Sequence, residues 1–251
     1  MLTQGSVFYG AYVHDYCNEL CYGLLITARC DISQKKATSY SYLPLVSVES
    51  WFRLELPRIL SSRISGSTYN NLITALENIG CSERVYNTYG IEKISQAYND
   101  SNTKSKQLDK FRIALEKFEL SKELNSNSIS KERIKYITSV FKTETEKIIS
   151  EVISQKLSGY YFVDDVSNDG PYIVKLRDVY HLSPNIALDL KKGIKIPEVQ
   201  YPKEDDKSYT IGEINSPYIE HILQNFSSIF TRIGIDDPDK KLINKILEVQ
   251  I

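Results

Sequence analysis

The chain has 251 residues, 41% of them hydrophobic, with 31 Lys+Arg against 32 Asp+Glu and a formal net charge of −1. That is enough apolar material for a well-buried core, and the charge balance excludes the overall basic field of a general nucleic-acid binder. "CYGLLITA", the longest apolar run near the front, is too short to cross a membrane, and "MLTQGSVFYG" lacks the basic and apolar halves of a leader. A cytoplasmic protein without membrane contact is expected. Four cysteines in a chain of this size call for no disulfide framework, so reduced thiols are expected.

The first fifty or so residues read as β structure. "SVFYGAYV", "CYGLLITA" and "TSYSYLPLVSV" are rich in Val, Ile, Tyr and Thr. "LLITA" suits a strand buried on both faces, and "DISQKKAT" has the chemistry of a hairpin-like connection. From Val48 the pattern turns helical. Trp51, Leu54, Leu56, Ile59 and Leu60 fit a helix interrupted at Pro57. "STYNNLITALENIG" reads as a separate helix capped by Ser67 and stopped at Gly80. Leu108, Phe111, Leu115 and Phe118 form one apolar stripe, and Ile134, Ile137, Phe141, Ile148 and Val152 form a second. Two long amphipathic helices joined by "NSNSIS" predict an antiparallel hairpin.

The β signal returns after Leu157. "YYFVDDV" and "YIVKLRDVYHL" flank Asn168-Asp169-Gly170, which has the residues of a tight turn. Ser183-Pro184 opens a short helix that stops at Gly193, and "YPKEDDKS" is a charged loop. Ser216-Pro217 opens the next helix, with Ile219, Ile222, Leu223, Phe226, Phe230 and Ile233 toward the core and Gly234 at the stop. A final helix is expected from Asp237-Pro238. The order predicts an α+β fold: a small β-barrel or sheet made by the N- and C-terminal strands, interrupted by a long helical insertion, with the C-terminal helices packed on the sheet. The expected division is a β-rich unit of residues 1–48 and 158–251 around a helical insertion of 49–157.

Chemistry-bearing residues cluster at the front. His14, Cys17, Cys21 and Cys30 are four zinc-capable side chains, so a zinc site is one reading. "CNELC" has no glycine or proline to turn paired ligands inward, which favours no metal and buried, inert thiols. A nucleophilic Cys30 beside Arg29 is a third reading, although neighbouring strand residues face opposite ways. There is no G-x-G-x-x-G, no P-loop lysine motif and no H-E-x-x-H. Arg177 and His181 are too closely spaced for a helical-ribonuclease pair, and Asp164-Asp165 lack the second acid of a two-metal nuclease. No catalytic residue and no cofactor is assigned.

"GLLITARCDIS…SYLPLV" and "SPYIEHILQNFSSIFTRIG" together resemble a set of uncharacterised bacterial proteins. Those proteins pair a "CD(I/L)" strand end with an "SP-x2-E-H…Q-x-F…F-x-RIG" helix and occur in mobile-element and phage-defence gene neighbourhoods. Cys30, Asp31, Ser216, Pro217, Glu220, His221, Gln224, Phe226, Phe230, Arg232, Ile233 and Gly234 carry the resemblance, which leaves the helical middle unmatched. It implies an accessory subunit of an anti-phage complex, partnered with a chromosome-structure-like ATPase and a nuclease effector. Long exposed helices and 18 tyrosines agree with a protein-docking role in a hetero-oligomer, with Lys135, Tyr136 and Lys142 as partner-binding residues. Two alternatives stand beside it. One is a small-barrel toxin-type ribonuclease, to which "QGSVF" and "LLITARCD" are similar. The other is nucleic-acid contact through the lysines of residues 104–156.

Overall fold

The computed structural model describes residues 2–99, 105–126, 129–166 and 170–231. Strand β1 (Ser6–Tyr9), β2 (Tyr22–Leu25), helix α1 (Arg29–Ser33) and β3 (Tyr40–Ser47) come first. A helical block follows: α2 (Val48–Leu54), α3 (Leu56–Asn78), α4 (Glu83–Asn99), α5 (Ser105–Glu123), α6 (Lys131–Val140) and α7 (Lys142–Ile153). The chain then returns through β4 (Tyr160–Val163), β5 (Tyr172–Lys175), β6 (Tyr180–Leu182), α8 (Pro184–Asp189), β7 (Tyr209–Glu213) and α9 (Tyr218–Phe230). The fold is α+β, as the patterning predicts. One antiparallel sheet runs β4-β5-β3-β2-β1-β7, with β6 on β3 beside β5.

Strands from the two ends of the sequence therefore interleave. Leu45 pairs with Val174 and Ser47 with Tyr172 across the helical block. The barrel alternative gives way to an open sheet. Its edges, β4 and β7, both line a cavity of about 620 Å³ but do not pair. Ile222 of α9 lines the same cavity, and Ile219 and Ile222 are fully buried against Val7, Leu24, Leu43, Leu45 and Val174 of the sheet. A helix occupies the place where strands would have closed a barrel. Edge strand β4 is covered locally as well. The Gln155 amide donates to Phe162 O at 3.0 Å and accepts from Phe162 N at 3.1 Å, as a neighbouring strand would.

The other sheet face carries the helical block. Val46 and Ile173 share one core with Trp51, Leu56, Leu60, Ile64, Ile137, Ile148 and Val152. Ser47 caps α2 by accepting from Ser50 N. Pro57, tolerated in the first turn of a helix, starts α3 instead of kinking one helix. The separate helix from Ser67 is not found. Burial of Leu60, Ile64, Leu72 and Leu76 carries α3 straight through Gly66-Ser67, and the Ser67 hydroxyl donates back to Ile64 O. The second long amphipathic helix is broken at Phe141, whose ψ of 44° separates α6 from α7. The hairpin partner of α5 is α3: Phe111 and Phe118 pack with Leu72, Ala75 and Leu76, and Ser121 bonds Thr68. Helix α4 bends at Gly90, whose φ of 75° suits a residue without Cβ.

Other differences are local. The "DISQKKAT" connection begins as a helical turn, α1, in place of a hairpin. "YIVKLRDVYHL" is two strands, β5 and β6. β7, unmarked in the sequence pattern, is the second neighbour of β1. Asn168 and Asp169, Arg232 to Gly234 and the helix expected from Asp237 lie outside the described residues. Because sheet and helices share Leu60, Leu60→Ala should cost about 2–5 kcal/mol. Urea unfolding followed by far-UV circular dichroism and by Trp51 fluorescence should show that loss in a single coincident transition. Two separated transitions would mean that the helical block and the sheet fold independently.

Candidate functional site: a buried charge cluster and a cleft on the helical block

Lys175 stands in an otherwise apolar strand, between Val174 and Leu176, and is 6% exposed. Its ammonium lies 2.8 Å from Glu55 Oε1, 2.8 Å from Asp178 Oδ2 and 3.7 Å from Asp15 Oδ2. It also sits 4.9 Å from the centre of the Tyr16 ring. Glu55, in the joint between α2 and α3, is itself buried. Its two oxygens accept from Tyr16 OH at 3.3 Å and Tyr160 OH at 2.9 Å. Burial pulls the lysine downward, but the Asp178 and Glu55 carboxylates outweigh it and hold Lys175 above the ordinary lysine range. Burial, reinforced by Glu55, raises the Tyr16 and Tyr160 phenols and keeps them neutral. Arg177 lies over Gly159, where a Cβ would come within 2.7 Å of its Nε. A small cavity of about 190 Å³ opens here, lined by Asp15, Glu55, Tyr160, Lys175, Arg177 and Asp178. Every charge at its centre already has a partner, so the cluster is built as an internal anchor.

The second feature lies between α2 and α6. Val48 and Phe52 of α2, partly buried, face Ile134 of α6 across a cavity of about 370 Å³. Its rim holds Glu49, Arg53, Lys131 and Lys135. Lys131 Nζ donates to Glu49 Oε1 at 2.6 Å from one helix to the other. Arg53 pairs with Glu19, whose other oxygen accepts from Ser50 Oγ at 2.9 Å. The Lys135 ammonium is in no ion pair among the described residues. Beyond Arg53 a second cavity of about 430 Å³ is lined by Leu54, Pro57, Arg58, Leu124 and Ile129.

The candidate residues from the sequence are scattered by comparison. Of the three partner-binding residues, only Lys135 lines the cleft. Tyr136 is 43% exposed and donates to Glu116 at 2.6 Å, and Lys142 pairs with Glu146 on its own helix. His14, Cys17, Cys21 and Cys30 do not converge, and no group of three or more His, Cys, Asp or Glu among the described residues is placed to hold a metal. Cys21 is buried, with its thiol pushed up to about 12 by burial, whereas Cys17 and Cys30 are exposed, against the reading of all three as buried thiols. Cys30 and Asp31 sit in α1 and not at a strand end. Arg29 turns away to Glu220 Oε1, 3.4 Å off, and the Cys30 thiol donates to Asp31 Oδ1 at 3.6 Å.

That ion pair links α1 with α9. On α9, His221 shares a 2.9 Å hydrogen bond with Tyr161 OH, Gln224 is exposed and Phe226 is half-buried. Phe226 packs against Phe230 with tilted rings 4.9 Å apart between centres, and Phe230, at 59% exposure, does not line the core as its spacing suggests. Arg232 lies outside the described residues. Arg177 donates to Ser158, and His181 bonds Ser41 at 3.1 Å on the neighbouring strand. Asp164 and Asp165 line the wide cavity between the sheet edges.

Lys175, Glu55 and the α2 side of the cleft escaped sequence reading. A lysine inside "YIVKL" is the signal for the first. For the second it is "VESWFRL", whose apolar residues serve two faces, Trp51 inward and Val48 with Phe52 toward α6. No protein-family model, curated protein or solved structure matches the chain.

Lys175→Met should cost about 3–5 kcal/mol, because Glu55 is then a buried charge without its cation. Adding Glu55→Gln should recover about 1–2 kcal/mol, since the uncharged amide still accepts from one tyrosine hydroxyl and donates to the oxygen of the other. Chemical denaturation of the two variants measures both. The raised lysine contributes stability fully below the unfolded lysine value of about 10.4 and loses it as pH rises through the folded value. The raised tyrosines act in the same direction, from an unfolded value of about 10. The melting temperature should therefore hold to about pH 10 and fall above it. The fall should be shallower in Lys175→Met.

Proposed function

We propose that this chain is a non-catalytic accessory subunit that docks a partner protein through its helical block. The observation that carries the reading is the cleft between α2 and α6, floored by Val48, Phe52 and Ile134 and edged by cations. Carbon surface left open on a soluble helical face has its natural use in receiving apolar side chains of another molecule. By contrast, the deeply buried group of titratable side chains around Lys175 is paired within itself. The family resemblance supplies the setting, an anti-phage defence complex with an ATPase and a nuclease effector, and that setting rests on the resemblance alone. The open sheet removes the closed small barrel from which the ribonuclease alternative starts. No helix among the described residues is long and apolar enough to cross a membrane.

The test is native co-purification of the tagged full chain beside Lys135→Glu. Lys135 is exposed and unpaired, so the substitution should change stability by no more than about 0.5 kcal/mol. Recovery of the partner should drop about tenfold, as expected when about 1.4 kcal/mol of binding is lost. Undiminished recovery would move the docking surface elsewhere on the molecule. Turnover of RNA by the purified chain alone would replace the adaptor reading with the enzyme.

A further inference from the structure

We propose that the α2–α6 cleft receives an acidic segment of its partner that inserts one bulky apolar side chain, of the Leu, Ile, Met or Phe kind, between Phe52 and Ile134. The proposal rests on the docking role just described and names the chemistry of what docks.

Shape and lining speak for the anchor. A cavity of about 370 Å³ is at the small end of the roughly 300–1,000 Å³ usual for ligand sites. It has room for a side chain and its flanking backbone. Its floor is Val48, Phe52 and Ile134, with no hydroxyl, amide or imidazole among the lining side chains to orient a polar ligand. Such a floor selects for carbon and rejects a polar group, which would be stripped of water without a hydrogen bond in exchange.

Charge speaks for the acids around the anchor. Of the cations lining the cleft, Arg53 is paired with Glu19 and Lys131 with Glu49, so the surplus charge is that of Lys135, in a chain whose formal net charge is −1. The excess is local. Lys135 is in no ion pair among the described residues, and neither is Arg58 in the adjoining cavity beyond Arg53. A segment lying across Arg53 would bring its acids to Lys135 on one side and Arg58 on the other. Complementary rim charges of this kind favour encounter with acidic partners and oppose basic ones.

Two other occupants fit less well. A nucleic acid would need aromatic faces for successive bases, and the lining offers one aromatic ring, that of Phe52. A second copy of this chain would have to offer acids next to an apolar anchor. Among the described residues, the acidic loop Glu204 to Asp206 is flanked by Lys203 and Lys207 and holds no bulky apolar residue.

A short random-peptide display library, panned on the full-length protein, tests the chemistry directly. The enriched peptides should combine Asp or Glu with at least one Leu, Ile, Met or Phe. A synthetic copy should bind at least tenfold more weakly to Lys135→Glu and to Phe52→Ala, and at least tenfold more weakly when salt is raised from low to high. Lys135→Glu is exposed and keeps the test valid if Phe52→Ala disturbs the fold. Enrichment of basic peptides, of peptides without an apolar residue, or of none would overturn the proposal. So would binding indifferent to Lys135→Glu, or displacement of the peptide by a single-stranded RNA oligonucleotide. The broader reading fails separately. Peptides that behave as expected alongside a native chain that purifies without any partner would sink the adaptor role and keep the cleft's chemistry. A partner retained by Lys135→Glu with no peptide selected would do the reverse.

Discussion

The ion pair between Lys175 and Glu55 is where the two halves of this molecule are fastened. One residue belongs to β5, the second strand from the sheet edge, which comes late in the chain, the other to the joint between α2 and α3, and both are buried. Taking two charges out of water is expensive, and an apolar pair of similar volume would often be as stable. What the charged pair adds is geometry. Lys175 reaches three carboxylates from different elements, and Glu55 collects the hydroxyls of Tyr16 and Tyr160. A shift of α2 or α3 along the sheet would leave several of these groups unsatisfied together. Apolar packing of Trp51 and Leu56 alone would tolerate such a shift more readily.

From that anchor the position of the cleft follows. Helix α2 is pinned at its start by the Ser47 cap and the Glu19 contacts to Ser50 and Arg53, and just past its end by Glu55. Helix α6 is fixed from the other side, through Ile134 and Ile137 and through its break from α7 at Phe141. The two helices are thus held by different neighbours. Between them Val48 and Phe52 stay only partly covered, and the one polar strut across the mouth is the exposed pair Lys131–Glu49, which water screens strongly. A binding surface on rigid supports needs little reordering when a partner arrives.

How much of this was legible in the sequence depends on which period each segment carries. β2 and β3, with their apolar runs, and α5, with its stripe of large side chains, declared themselves through local pattern, whereas α3 read as two helices and α6 with α7 as one. β7 did not, because "YTIGE" is short, interrupted by glycine and never fully buried. The α1 turn was hidden because Arg29–Ser33 has no apolar stripe of its own and lies down only where Ile32 finds the core beside Leu25 and Tyr40. Closure of the sheet could not be read at all. It depends on α9 meeting the gap between β4 and β7, a pairing of elements far apart in the chain. The cysteines misled for a related reason: closeness along the chain put His14, Cys17, Cys21 and Cys30 in one group, while Cys21 is buried where the chain enters β2, Cys17 stays exposed before it and Cys30 is exposed beyond the far end of that strand. The cleft is the product of two helices eighty residues or so apart in sequence, and only Lys135 of its rim carried a signal in advance.

The tyrosines settle in a way that sharpens the functional reading. Their abundance suggests a recognition surface, since the ring is apolar and the hydroxyl can stay wet. Most of those described instead serve the interior or the sheet. Tyr16 and Tyr160 serve Glu55, Tyr42 donates to Tyr12 O at 2.8 Å, and Tyr161 meets His221. Tyr209, Tyr9, Tyr22 and Tyr172 run as a line of touching rings along the sheet. Such rings fill a core while their hydroxyls bond at its margin, a role that aliphatic residues cannot take. The surface best suited to a partner is therefore one without tyrosine. The feature of composition that looked most like a recognition device largely serves the fold, and the cleft proposed for docking is made from Phe52, Ile134 and a few lysines and arginines that composition alone would never single out.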